Sequence, residues 1–344
     1  MNFWFRIEID WNEPNLNGSW LHGPESYTWK VMNVNSIGSR ICLFILTIAC
    51  IALPCFSNLA AQRVDPAQPR MKMTEIAPNV LVFATRKGNV LASVGPEGAL
   101  LLGTPSAEST EQVSNVLASR TQSAFRCVVI WPEDPANSEG DAGWQRRGAL
   151  VAIHENALSY MSVNSGHMME LPKGPQRFAD LGVELPRITF SDVLAFNLNG
   201  DAIHVVHQKS GYSDADALVH FHVNKVVYLG EDFPGDGYPL IDQTQHGTLS
   251  GLLLTLEEVA SWADESMHVV PARGEVTTGS SLQAFHDMIA TVRNRIESVI
   301  KKGQTEEQVI AQHPTADFDA RWGQGRVTPA AFVKEVFAAV TQKK

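Results

Sequence analysis

Cysteine is scarce in this 344-residue chain, and what there is sits badly for disulfides. Three of the four cysteines, Cys42, Cys50 and Cys55, fall in or beside one apolar run near the N-terminus. Only Cys127 lies beyond it, in a strand-like apolar stretch, so the rest of the chain has no intramolecular disulfide and Cys127 reads as a buried, inert thiol. Basic residues are outnumbered: 27 Lys and Arg face 37 Asp and Glu, for a formal net charge of −10. Basic residues cluster no further than pairs, such as Lys301-Lys302 and Lys343-Lys344. Without a basic patch there is nothing to offset phosphate charge, so nucleic acid and anionic membranes are excluded as expected partners. No apolar run reaches the roughly 20 residues that a membrane-spanning helix needs. Three common catalytic signatures are also missing: the Gly-x-Ser-x-Gly elbow, the P-loop and the dinucleotide glycine fingerprint.

The apolar run that does exist, Ile41 to Leu53, follows Arg40 and is succeeded by Pro54 and small or polar residues up to Ala60-Ala61-Gln62. A basic residue, a short apolar core and small residues before a cleavage point form a secretory signal. Met32 starts a signal of ordinary length. Residues 1–31, which hold four of the eight Trp, show no hydrophobic periodicity and read as an upstream extension from a mis-assigned start. The expected organisation is therefore an extension at 1–31, a signal at 32–61, a Pro-containing linker at 62–72, a main domain at 73–313 and a helical tail at 314–344 packed on it. Location is periplasmic or secreted, with no stable membrane association after cleavage; an uncleaved anchor is the alternative.

Strand-like runs follow at 80–83, 89–94 and 98–102, with the turn Gly95-Pro96-Glu97-Gly98 between the last two. A helix is expected over 109–119, with Ser109 as its cap and Gln112 three residues on. Strands at 126–130 and 149–153 flank a loop. A meander then spans 187–190, 195–198, 203–207, 217–222 and 225–229. Helices over 249–263 and 281–301 bracket a short strand at 267–270, and the tail from 305 to 340 is mostly helical. Two β-rich regions alternate with helices, an α+β pattern of two sheets flanked by helices.

Five blocks in this order carry a family resemblance: IAPNVLVFATRKGNVLASVGPEGALLLGT, GALVAIHENALSYMS, LNGDAIHVVHQKSGYSDADALVHFHVNKVVYLGEDF, VVPARGEV and PTADFDARWGQGRVTPAAFVKEVF. Together, over about 74–337, the chain resembles the metallo-β-lactamase-fold hydrolases, in particular a periplasmic subgroup. The resemblance implies a four-layer αβ/βα sandwich in one domain. In that family, histidines and aspartates hold one or two zinc ions, which make hydroxide from bound water near neutral pH. Here the stretch Val128 to Gly140 stands where the family carries T-H-x-H-x-D-H-x-x-G, and it contains no histidine.

Carried over position by position, the first two histidine positions are Pro132 and Asp134. The next aspartate and histidine positions are Ala136 and Asn137. The third histidine position is Tyr212, the bridging aspartate is Glu231, and the last histidine is Arg273. Two carboxylates without imidazole make a poor zinc site, and a guanidinium cannot ligate metal. Zinc is therefore not expected, and no other cofactor is. Arg273 either fills the former zinc space, paired with Glu231 or Asp134, or lies exposed at the pocket rim. Glu133, Asp216, His207 and His246 are the expected rim; a rebuilt metal site from His207, His246 and Glu231 is the competing arrangement. His220 and His222 alternate with Val219 and Phe221 and so share one sheet face. The expected function is a non-metal pseudoenzyme that binds a small molecule or a periplasmic protein. The alternatives are a hydrolase with a remodelled or metal-independent site and a purely structural partner in a periplasmic complex.

Overall fold

The computed structural model describes residues 71–124, 126–131, 143–161, 169–171, 174–176 and 186–342. The signal, the upstream extension and most of the linker lie outside these residues. β1 (Met71–Ala77), β2 (Val80–Thr85), β3 (Asn89–Gly95) and β4 (Gly98–Leu102) form an antiparallel meander. Three parallel strands extend it: β5 (Arg126–Ile130), β6 (Leu150–His154) and β9 (Ile188–Phe190). The order across this sheet is β1-β2-β3-β4-β5-β6-β9. The near-continuous apolar wording of β3 and β4 reflects burial on both faces. β1 is the edge, and its Lys72, Thr74 and Glu75 are exposed, which discourages pairing with another chain. It begins at Met71, so the last two residues of the expected linker are strand. A separate two-stranded ribbon joins β7 (Met169–Leu171) to β8 (Gly174–Gln176).

The second sheet runs β10 (Val193–Leu198), β11 (Asp201–His207), β12 (Ala217–Phe221), β13 (Val226–Tyr228) and β14 (His268–Val270). It is antiparallel except for the parallel pair β13 and β14. Helices α1 (Ala107–Arg120) and α2 (Glu155–Met161) lie in the first half of the chain. The second half adds α3 (Leu249–Ala260), α4 (Gly279–Ile300), α5 (Glu306–Ala311), α6 (Asp319–Trp322) and α7 (Pro329–Gln342). Pro314, Gly323, Gly325 and Pro329 fall in or beside the breaks that split the tail into short helices. At α1 the N-cap is Ser106, not Ser109, and it makes no side-chain cap bond.

Three apolar clusters define four layers. Val113, Leu117 and Ala157 of α1 and α2 pack on Phe83, Leu101, Val128 and Ile153 of the first sheet. The opposite side of that sheet, with Val82, Leu100 and Val129, meets Val205, Val219, Phe221 and Val226 of the second. The outer side of the second sheet, with Leu218, Val227 and Val269, is covered by Leu256, Phe285 and Phe332 of α3, α4 and α7. Strand alternation produces this division: in β12, Val219 and Phe221 point between the sheets while Leu218 points to the helices. The result is an αβ/βα sandwich.

One turn links the sheets. Asn199 and Gly200 connect β10 to β11 with φ of 53° and 81°, the left-handed pair that a two-residue hairpin requires and that Asn-Gly adopts readily. The Asn199 amide donates to Ser93 Oγ at 3.0 Å and to the Gly98 carbonyl at 3.1 Å. Its oxygen accepts from the Glu97 N–H at 3.2 Å, and its own N–H donates to the Glu97 carboxylate. The hairpin tip of one sheet is thus fastened to the β3–β4 turn of the other.

Candidate functional site

Both sheets present strand ends at a common edge. Trp131, the residue after β5, packs edge-on against Tyr228 at the end of β13, with ring centroids 5.9 Å apart. Asn89, at the start of β3, donates through its side chain to the carbonyls of Pro271 and Gly274, each at 2.9 Å, and its N–H donates to the Ala272 carbonyl at 2.7 Å. The loop after β14 is therefore tied to the first sheet. It is tied equally to the segment after β13, because Ala272 and Arg273 donate their N–H groups to the carbonyls of Phe233 and Pro234. Gly235 makes this approach possible: its φ is 80°, and a Cβ there would stand 2.3 Å from the Arg273 carbonyl oxygen. Crevices at the ends of parallel strands are the usual ligand sites of such sheets.

Into this edge project Glu231, from the turn Gly230–Asp232 after β13, and Arg273. They form a fork-to-fork pair. Arg273 Nη1 donates to Glu231 Oε1 at 2.6 Å and Nη2 to Oε2 at 2.8 Å. Arg273 Nε donates to Asp236 Oδ2 at 2.9 Å. A second guanidinium, Arg326 from the loop before α7, reaches Glu231 Oε2 at 2.6 Å. The side chains of Glu231 and Arg273 are 10 % and 15 % exposed, while that of Arg326 is 56 % exposed. Burial works against the charge on Arg273, yet the hydrogen bonds and charge of Glu231, with those of Asp236, outweigh it and raise the guanidinium's pKa. The pairing of Arg273 with Glu231 is thus present, and Arg273 is not a solvated rim residue. Asp236 and Arg326 escaped the sequence reading. Arg326 lies 95 residues from its partner in a Gly-rich stretch with no local signal.

Tyr212 is buried beside the same turn, its N–H donating to Asp232 Oδ1 at 2.9 Å. Asp216, expected at the rim, is instead buried. It accepts from the N–H groups of Gly211 and Ser213 at 3.1 and 2.8 Å and from Ser213 Oγ at 2.6 Å. It fastens the loop before β12 from within. Burial pushes its carboxyl up to about 6, against the lowering by the Ser213 bonds and by a bond with Asp232. Ser213 is committed to that carboxylate and buried, which removes it as a nucleophile.

His207 stacks on His154 with centroids 3.9 Å apart and shares a 3.0 Å hydrogen bond with the Asp214 carbonyl. His154 accepts the Asn156 N–H at Nδ1, so its Nε2 carries the proton and donates to the Ser191 carbonyl at 2.7 Å. Burial, first of all, lowers its pKa. His246 is exposed, with φ of 61°, at the end of the turn Gln243–Gln245. Among the described residues, no group of three or more His, Cys, Asp or Glu side chains is arranged to hold a metal ion, so His207, His246 and Glu231 do not form one. Pro132, Glu133, Asp134, Ala136 and Asn137 lie outside the described residues. Of the cluster that is described, Glu231 is the one group able to ligate a metal at a carried-over position, and both its oxygens face guanidinium. This donor set does not fit zinc.

No protein-family model matches the sequence, and no curated protein matches it significantly. Solved structures do match. A metallo-β-lactamase from Pontibacter korlensis aligns with a TM-score of 0.50 at 17 % identity, over 64 % of this chain and 99 % of its own. The DIM-1 metallo-β-lactamase exposed to ceftazidime aligns with a TM-score of 0.50 at 12 % identity, over 65 % and 98 %. Pisa1, a stereoselective inverting sec-alkylsulfatase from Pseudomonas sp., aligns with a TM-score of 0.56 at 13 % identity, over 78 % of this chain and 50 % of that one. Identities this low speak for architecture and not for activity. Two face-to-face sheets between helices, matched over almost the whole length of the two lactamases, show that this chain has the metallo-β-lactamase fold.

Proposed function

We propose that this chain is a non-metal member of the metallo-β-lactamase-fold proteins, a periplasmic pseudoenzyme that binds a small molecule or a protein partner in the groove where its relatives hold metal. The observation that carries this reading is the clasp on Glu231: two oxygens, three guanidinium N–H donors, all within 2.8 Å. A bidentate guanidinium supplies positive charge and fixed geometry to a carboxylate, as a cation would, but offers no ligand position for water. The cluster holds two guanidinium groups against Glu231 and Asp236 and is balanced without an ion. The competing reading, a hydrolase with a remodelled site, has no activated nucleophile among Ser213, Asp216 and the paired arginines to support it.

Metal analysis of the purified mature protein, run beside a panel of β-lactam, sulfate-ester and phosphate-ester substrates, tests the proposal. Well under one tightly bound zinc per chain and no turnover are expected. A stoichiometric zinc that resists dialysis, or turnover abolished by chelator, overturns it. The periplasmic placement rests on the sequence at 32–61; among the described residues no helix is long and apolar enough to cross a membrane. On export from a bacterial host the mature N-terminus is expected near Gln62, and a product that retains Met32 points to an anchor instead.

A further inference from the structure

The outer side of the second sheet is apolar where α3 and α4 cover it, but one end of it carries three histidines. His204 on β11 stands directly opposite His220 on β12, and His222 follows two residues on, on the same side. α3 ends at Ala260, and the chain turns away at Trp262. What remains is an open cavity of about 310 Å³, lined by His204, His220, His222, Glu258 and Trp262 among others. Among the described residues that line it there is no Lys or Arg.

His222 Nε2 and His204 Nδ1 are 3.0 Å apart. They share a hydrogen bond, so one ring nitrogen carries a proton that a bound cation would displace, and the two rings stand close enough to reach one ion with bonds of ~2.1 Å. We propose that His204 and His222 form a surface chelate for a divalent transition-metal ion with a preference for nitrogen, such as Cu²⁺ or Ni²⁺, with water completing the shell. His222 is exposed and His204 half-buried, and the two rings must only rotate from facing each other to facing a common ion. His220 is a wall and not a third ligand. Its ring stacks on Trp262 at 4.8 Å and lies 4.1 Å from the ring of His222. The backbone that carries His222 is already ordered, because Asp201 accepts the N–H groups of Val223 and Asn224 at 2.9 and 3.0 Å. Glu258 adds a carboxylate to the cavity, which favours a cation. None of these residues belongs to the Arg273 clasp, and the proposal does not depend on the reading of that groove.

The test is calorimetric titration of the full-length mature protein, stripped of metal, with Cu²⁺ and with Ni²⁺, alongside electron paramagnetic resonance of the Cu²⁺ form. One ion per chain is expected, with hyperfine coupling to two imidazole nitrogens. His204→Ala and His222→Ala should each weaken binding about tenfold or more and leave one coupled nitrogen. His286→Ala on α4 should leave binding as in the parent, which separates this ion from adventitious binding at other surface histidines. His222→Gln, at the exposed end of β12, gives the same reading if His204→Ala fails to fold. No binding, or binding and two-nitrogen coupling retained in the His222 variants, overturns the proposal.

Discussion

Removing the side chain of Arg273 leaves the carboxylate of Glu231, 10 % exposed, with a single, largely solvated partner in Arg326. Breaking a buried ion pair by deleting one member costs roughly 3–5 kcal/mol, mostly because the survivor stays charged and poorly solvated. Arg326 offsets part of that, so about 3 kcal/mol is expected for Arg273→Ala. Glu231→Gln leaves Arg273 with Asp236 and should cost about 2 kcal/mol, within the range for orphaning a charged donor. If the two effects were independent the double variant would lose about 5 kcal/mol. It should lose about 3, since the neutral amide at position 231 needs no guanidinium, a coupling of about 2 kcal/mol. Urea denaturation at pH 7 of the four proteins reads this directly. In thermal melts Arg273→Ala should fall by about 6–12 °C, at ~2–4 °C per kcal/mol for a domain of this size. Salt should change the coupling little, because the pair is screened less than a surface one. Additivity within about 0.5 kcal/mol would refute the reasoning, since it would mean that Arg273 and Glu231 are held independently of each other.

Asn199→Ala removes the three bonds its side chain makes to Ser93, Gly98 and Glu97 and places alanine at a left-handed φ, so a loss of about 2–4 kcal/mol in urea denaturation is expected, while Asn199→Gly should recover the backbone part. Asp216 titrates near 6 when folded against an ordinary 3.8, so its contribution to stability is full below about pH 4 and is lost as pH rises through about 6. At about 1.4 kcal/mol per pH unit this amounts to a loss on the order of 2–3 kcal/mol. The slope of stability between pH 4 and 6.5 should flatten in Asp216→Asn, and an unchanged slope would assign the titration elsewhere.

The sequence was most readable where burial is two-sided. β3, β4 and β5 are short apolar runs because helices cover one face of the first sheet and the second sheet the other. The spacing of Leu282, Phe285, Met288, Val292 and Ile296 marked α4 for a similar reason: one stripe meets the core. β1 was not anticipated, and its first two residues fall in the expected linker, because an edge strand rich in exposed Lys, Thr and Glu has the composition of a linker. In the site, ordered blocks located Glu231 and Arg273, and charge chemistry alone pointed to their pairing. Arg326 could not be found that way, since nothing near it in sequence marks a partner 95 positions distant. Asp216 misled because an acidic residue in a Ser-Asp-rich loop looks solvated; its burial follows from three donors that converge only once the loop is folded.

The second arginine on Glu231 bears on how such a groove changes over many generations. On the proposed reading, histidine in place of Arg273 would supply one imidazole, yet Arg326 would still lie on the carboxylate of Glu231, and buried Tyr212 would still stand at another carried-over position. Each further step toward a metal site would first strand a charge and lose stability before any ion could compensate. On the proposed reading, any route to a metal site here runs uphill through several simultaneous changes, because the C-terminal segment that delivers Arg326 holds the carboxylate throughout.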